Sequence, residues 1–195
     1  MSGKTETTSV VLVGVGGQGI LLASEVVARA AMHAGFDVKT NEVHGMAQRG
    51  GSVIAQIRYG RQVFSPLVPE GEASVLGSLE RIEALRYTSY LRPGGLAVVS
   101  SQAIVPVTVS SGQATYPADA RERLAAAYAN LRYVEAEELA RRAGTVRAAN
   151  MVVVGAMSRA LDLPAEAWRA AIEQSVAEKH VAMNVQAFEF GRAAT

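Results

Sequence analysis

Val10-Val11-Leu12-Val13-Gly14-Val15-Gly16-Gly17-Gln18-Gly19-Ile20-Leu21-Leu22 is the stretch from which the fold can be read. Val10–Val13 is a β-branched apolar run of the kind that forms a strand buried on both faces. The glycines follow at once. Ile20–Ala34 then reads as a helix apolar on most of its faces, with Gly35 suited to end it. Val38–Val43 reads as a second strand, so the opening is a β–α–β unit of an α/β sheet. Gly14, Gly16 and Gly19 match G-x-G-x-x-G between strand and helix. There the glycines permit a tight turn and close backbone approach, and a helix N-terminus offers free N–H groups to an anion. Glu42, 23 residues after Gly19, stands where a ribose-binding acid is expected. Two readings stay open: a phosphate-bearing group on the loop, or a turn that only packs helix on sheet. Gly17 and Gln18 decide for neither, and the Gln18 amide could meet a ligand or a neighbouring loop.

A second glycine-punctuated segment follows that strand: His44-Gly45-Met46-Ala47-Gln48-Arg49-Gly50-Gly51. It falls at the same end of the sheet as the glycine loop, where open α/β sheets place ligands or partners. Arg49 is a forked donor for a phosphate, a carboxylate or a partner's acidic side chain. Gly50 and Gly51 would let backbone N–H groups form an anion nest. His44 and Gln48 add polar groups, and Met46 an adaptable apolar contact. The alternative is a scaffolding loop whose Arg49 pairs with an internal carboxylate. No Ser-His-Asp or Cys-His arrangement can be assembled around His44.

Ser52–Tyr59 alternates as a strand, and Gly60-Arg61 could turn it back into Gln62–Ser65 as a β-hairpin. Ala73–Gly77 and Leu96–Ser100 read as buried strands, with a helix over Leu79–Leu91 closed by Pro93-Gly94-Gly95. Residues 101–117 are ambiguous, with strand character at Ile104–Val109. Asp119-Ala120-Arg121-Glu122 has the form of a capping box opening a helix to about Ala129. Leu131–Val134 reads as a last strand. Helices follow at Glu137–Ala143, at Asn150–Leu161, from Pro164 to about Glu178, and at Val181–Arg192. The expected fold is α/β: a Rossmann-like open sheet, mostly parallel, with a β-hairpin and a helical C-terminal third. Residues 1–8 read as a disordered tail, and 9–195 as a single domain.

The 195 residues are 49% apolar and 19% charged, enough for a sizeable core. With 19 basic and 18 acidic residues, nothing in the charge balance points to nucleic acid. The apolar runs are too short to span a bilayer, and the polar start lacks a signal peptide's apolar core, so a cytoplasmic protein is expected. No cysteine is present, which excludes disulfides and a Cys-ligated iron–sulfur cluster on these residues. His33, His44 and His180 lack metal-ligand spacing, so no metal site is expected.

Taken together, "VVLVGVGGQGILL" at 10–22 and "EVHGMAQRGGSV" at 42–53 resemble the γ-type domain of the 2-oxoacid:ferredoxin (acceptor) oxidoreductases. The family's G-x-G-G-Q-G pattern is met by Gly14, Gly16, Gly17, Gln18 and Gly19, and its R-G-G by Arg49, Gly50 and Gly51. The wording "VHGMAQRGG" resembles the β subunits of the indolepyruvate branch, and the resemblance extends to Arg147-Ala148-Ala149-Asn150-Met151. Such enzymes decarboxylate a 2-oxoacid on thiamine diphosphate, pass electrons through iron–sulfur clusters to ferredoxin and form an acyl-CoA. The resemblance implies that a larger partner carries thiamine, magnesium and clusters, with coenzyme A as co-substrate. It implies that this chain is inactive alone, with His44, Gln48 and Arg49 walling the partner's active site. Without that partner, the exposed surface would favour a homodimer. The alternative is a stand-alone NAD(P)- or flavin-binding Rossmann oxidoreductase, which would need cofactor affinity of its own.

Overall fold

The fold is taken from a computed structural model that describes residues 7–45, 50–105 and 115–194. The strands are β1 Thr8–Val15, β2 Asp37–His44, β3 Ser52–Gly60, β4 Ala73–Ser78, β5 Leu91–Ser100 and β6 Leu131–Val134. The helices are α1 Ile20–His33, α2 Arg81–Arg86, α3 Ala120–Ala127, α4 Ala136–Arg142, α5 Ala149–Ser158, α6 Ala165–Ser175 and α7 Glu178–Ala193. The sheet order is β2-β3-β1-β4-β5-β6. β1, β4, β5 and β6 pair in parallel, and β3 runs antiparallel to both β1 and β2. The expected open, mostly parallel sheet with a helical C-terminal third is what the chain forms.

The period-two alternation of β1 divides the core. Val10 and Leu12 face one layer, which holds α1 and α4–α7; Val11 and Val13 face the other, which holds α2 and α3. β5 repeats the division, with Leu96 and Val98 on the first side and Ala97 and Val99 on the second. α1 buries Ala23, Val26, Val27, Ala30 and Ala31, and small side chains let it lie close to the strands. It stops at Gly35, whose φ of 83° suits a residue without Cβ, while the Phe36 N–H caps the Ala31 carbonyl at 3.1 Å. Trp168 of α6 and Phe188 of α7 close the first layer, their rings 5.5 Å apart.

Several sequence expectations need correction. The hairpin is made by β2 and β3, joined through the 45–51 segment, and not by β3 with Gln62–Ser65. Both edges of β3 are already taken, and the Val63 N–H instead donates to the Asp37 carboxylate at 2.8 Å. For the same reason β1 and β2 are not neighbours; β3 lies between them. The helix expected over Leu79–Leu91 is shorter. It ends at Arg86, passes through a 3-10 turn at Thr88–Tyr90, and Pro93-Gly94-Gly95 lie within β5, which starts pairing at Ala73–Leu91. Asp119 precedes α3 without capping it; its backbone is not extended, and its carboxylate pairs with Arg123 one turn on, at 2.9 Å. The expected tail over 1–8 overlaps β1, since Thr8 pairs with Tyr59; residues 1–6 lie outside the described residues. Ile104 and Val105 are not in a strand, and the rest of that expected strand also lies outside the described residues.

Candidate functional site

Crossovers leave β1 and β4 in opposite directions along the sheet, so a crevice opens at their C-terminal ends. The glycine loop sits there, and each of its glycines has its own reason. Gly14, next to last in β1, lies under a crowded ceiling: a Cβ would lie 2.7 Å from Ile20 Cδ1 and 2.8 Å from Gln18 Oε1. Gly17 has a φ of 101° and Gly19 one of 81°, backbone that favours glycine. A Cβ on Gly19 would also meet the Asn150 amide at 2.6 Å. Gly16 joins the two motifs. Its N–H donates to the Gly51 carbonyl at 2.8 Å, and its carbonyl accepts from the Gly50 N–H at 3.3 Å. These bonds extend the β1–β3 ladder, whose last pair is Val15–Ser52. The glycine loop and the Gly50-Gly51 step therefore form one rim.

Gln18 is turned inward. Its Oε1 accepts from the Val15 N–H at 2.7 Å, and its Nε2 donates to the Leu79 carbonyl and to Gln102 Oε1, each at 2.7 Å. Gln102 Nε2 donates in turn to Glu137 at 2.7 Å, and Arg141 pairs with the same carboxylate at 3.1 Å. Amide chemistry thus links the loop to α4. Asn150, 2% exposed at the start of α5, donates to the Gly19 carbonyl at 3.1 Å. Gln18 thus bonds its own loop and the segments at Leu79 and Gln102.

Two cavities flank the loop. One, of about 520 Å³, is lined by Gly16, Gly19, Gln102, Glu137, Arg147 and Asn150 among others. α1 begins there without a side-chain cap, so its first-turn N–H groups have only the partners that a neighbour or ligand supplies. The other, of about 510 Å³, is apolar, with Val15, Ile20, Leu21, Leu22 and Val53 on its walls and His44 at its rim. His44 reaches this cavity while its Nδ1 lies 3.3 Å from the Gly45 carbonyl. Glu42 stands apart from both cavities. Because β3 separates β2 from β1, its carboxylate meets α1 instead, accepting from Ser24 at 2.6 Å. Gln48 and Arg49 lie outside the described residues.

Sequence reasoning passed over several residues here. Gln102 and Glu137 belong to no motif, and Arg147 and Asn150 entered only as part of one stretch of family resemblance. Glu80, 1% exposed, was missed as well. Its carboxylate caps α2 through the Ile82 N–H at 2.6 Å and the Glu83 N–H at 2.9 Å, and accepts from the Tyr116 hydroxyl at 2.8 Å. Burial, followed by the neighbouring Glu80 carboxylate, pushes the Tyr116 hydroxyl up to about 12.

Comparison with known proteins extends over nearly the whole chain. Residues 9–194 match the family Pyruvate ferredoxin/flavodoxin oxidoreductase. Indolepyruvate oxidoreductase subunit IorB of Pyrococcus horikoshii is 44% identical over 188 residues, covering 94% of this chain and 93% of that one. The subunit of the same name from Thermococcus kodakarensis is 43% identical at the same coverage. Among solved structures, the keto/oxoacid ferredoxin oxidoreductase gamma subunit of Geobacter sulfurreducens superposes with a TM-score of 0.73 at 22% identity, covering 97% of both chains. A 2-oxoglutarate:ferredoxin oxidoreductase from Magnetococcus marinus, solved with 2-oxoglutarate, coenzyme A and succinyl-CoA bound, carries the same fold over 31% of its chain. It has a TM-score of 0.72 at 19% identity.

Proposed function

The chain belongs to the Pyruvate ferredoxin/flavodoxin oxidoreductase family, and from that premise we propose that it is the small subunit of a 2-oxoacid:ferredoxin oxidoreductase. The complex would convert an aryl pyruvate such as indolepyruvate to its acyl-CoA and reduce ferredoxin. The relatives at 43–44% identity, named as indolepyruvate oxidoreductase subunits, favour that substrate class. In this reading the larger partner holds thiamine diphosphate, magnesium and the clusters. The 195 residues contain no cysteine with which to ligate iron–sulfur, and this chain acts through position instead.

The observation that carries the reading is the Gly16–Gly50–Gly51 pairing, which welds the two family motifs into one rim at the C-terminal ends of β1 and β4. A rim fixed by backbone bonds can present Arg49 and His44 to a partner's active site and keep water from it. In the adjoining cavity, the Arg147 guanidinium and the first turn of α1 fit a phosphate of coenzyme A, which supplies the thiol that takes up the acyl group. The dinucleotide alternative finds less support: Gly16 and Gln18 are spent on internal bonds, and Glu42 stands away from the loop.

Reconstitution of the chain with its natural larger subunit under anaerobic conditions tests this reading. Ferredoxin reduction is expected only with both subunits, an aryl pyruvate and coenzyme A present. Full activity of the larger subunit alone would contradict it.

A further inference from the structure

Beneath the rim lies a cluster that ties the end of the second motif to residues outside both motifs. Ser52 is the first residue of β3 and follows Gly51 directly. Its hydroxyl donates to the Glu83 carboxylate and lies 3.1 Å from the Tyr87 hydroxyl. Glu83 is 5% exposed, although it sits on a helix of only six residues. Its other oxygen faces Arg86 Nε at 3.3 Å, and its backbone N–H is held by Glu80. A buried carboxylate carries a desolvation cost, which hydrogen bonds and a cation must offset. Here the groups that offset it come from two elements, α2 and the start of β3.

We propose that Glu83 is a positioning residue for the oxidoreductase rim: with Tyr87, it fixes Ser52 and so sets the Gly50-Gly51 step against the glycine loop. The inference rests on the function proposed above. The step is held from two sides. The Gly16 N–H holds the Gly51 carbonyl, along the ladder, and Glu83 holds the side chain of the next residue, from the second helical layer. Gly50 and Gly51 lack the Cβ that restrains other backbones, and Gly50 has a φ of 77°. Two flexible residues in a functional rim need an anchor on the rigid residue beside them, and a charged acceptor makes a stronger one than a neutral group. A link that served only to join α2 to the sheet would have no reason to end on the residue next to the rim, because Ala84 already packs α2 into the second layer. Misplacement of a positioned group by about 1 Å can cost on the order of a hundredfold in rate, so losing this anchor should show in turnover before it shows in folding.

The test is Ser52→Ala, Ser52→Thr and Tyr87→Phe in the reconstituted two-subunit complex. Each is read as kcat, KM for the 2-oxoacid, melting temperature and subunit association. Ser52→Ala should lower kcat about tenfold, with association intact, at an assay temperature well below the melting point. The melting point itself should fall by only a few degrees for the lost bond to a buried carboxylate. Ser52→Thr should restore most of the kcat by returning a hydroxyl to Glu83. Tyr87→Phe, which leaves the Ser52–Glu83 bond in place, should give a smaller loss. Unchanged kcat in Ser52→Ala would overturn the inference, as would a loss that tracks melting temperature or is not restored by Ser52→Thr. A wild-type complex without 2-oxoacid-dependent activity would instead sink the function on which the inference rests.

Discussion

Gln18 shows how much one side chain can hold. It satisfies the Val15 N–H, the Leu79 carbonyl and Gln102 at once, each at 2.7 Å. Replacing it by leucine keeps the volume and removes all three bonds, leaving backbone groups unpaired at a part-buried site. That should cost roughly 2–4 kcal/mol. At about 2–4 °C per kcal/mol for a chain of this size, the melting temperature should fall on the order of 10 °C in calorimetry, and an unchanged value would refute the role. Gly19→Ala should destabilise for two reasons, a φ of 81° and the Asn150 amide where the methyl would go; thermal melts against Gly17→Ala, where nothing lies within 4 Å, separate strain from crowding. The motif glycines were legible in the sequence because turn chemistry is local. Gln102, Glu137 and Glu83 were not, because each earns its place through a neighbour 30 to 85 residues away, and no local pattern encodes that.

Among the elements, existence and type were legible where apolar periodicity was strong: β1, α1, β4, β6 and the C-terminal helices. Partnership was harder. Alternation marks β3 as a strand without saying which strands flank it, and Gly60-Arg61 reads like a hairpin turn when both edges of β3 are already filled. The contact between α5 and α7 was equally hidden. A Cβ on Gly155 would run into the Phe188 carbonyl, and one on Gly191 into that of Val152, so the two backbones touch where the glycines cross. Gly155→Ala must push the helices apart and should cost about 3 kcal/mol in urea unfolding; a cost below about 1 kcal/mol would show that the crossing yields easily. Strand β3 carries a pH signature. Burial, above its other influences, pushes the Tyr59 hydroxyl from 10.0 up to about 12. The folded state therefore keeps a proton that the unfolded chain gives up, and this contribution is whole below pH 10 and lost as pH rises towards 12. The urea midpoint should drop across that window, and Tyr59→Phe should flatten the drop.

The whole molecule is a sheet with two helical layers and a crevice rimmed by both family motifs, and no helix among the described residues is long and apolar enough to cross a membrane. Its architecture places a rim and a cavity, and in the proposed function the redox chemistry falls to a partner. The family was readable from two short motifs, whereas the rim's locking depended on three-dimensional pairing at Gly16. The central claim is tested most directly by purifying the tagged chain anaerobically from its native host and assaying what comes with it. The account predicts a larger subunit carrying iron and thiamine, in a preparation that reduces ferredoxin when given an aryl pyruvate and coenzyme A. A lone chain retaining a nicotinamide or flavin would contradict it.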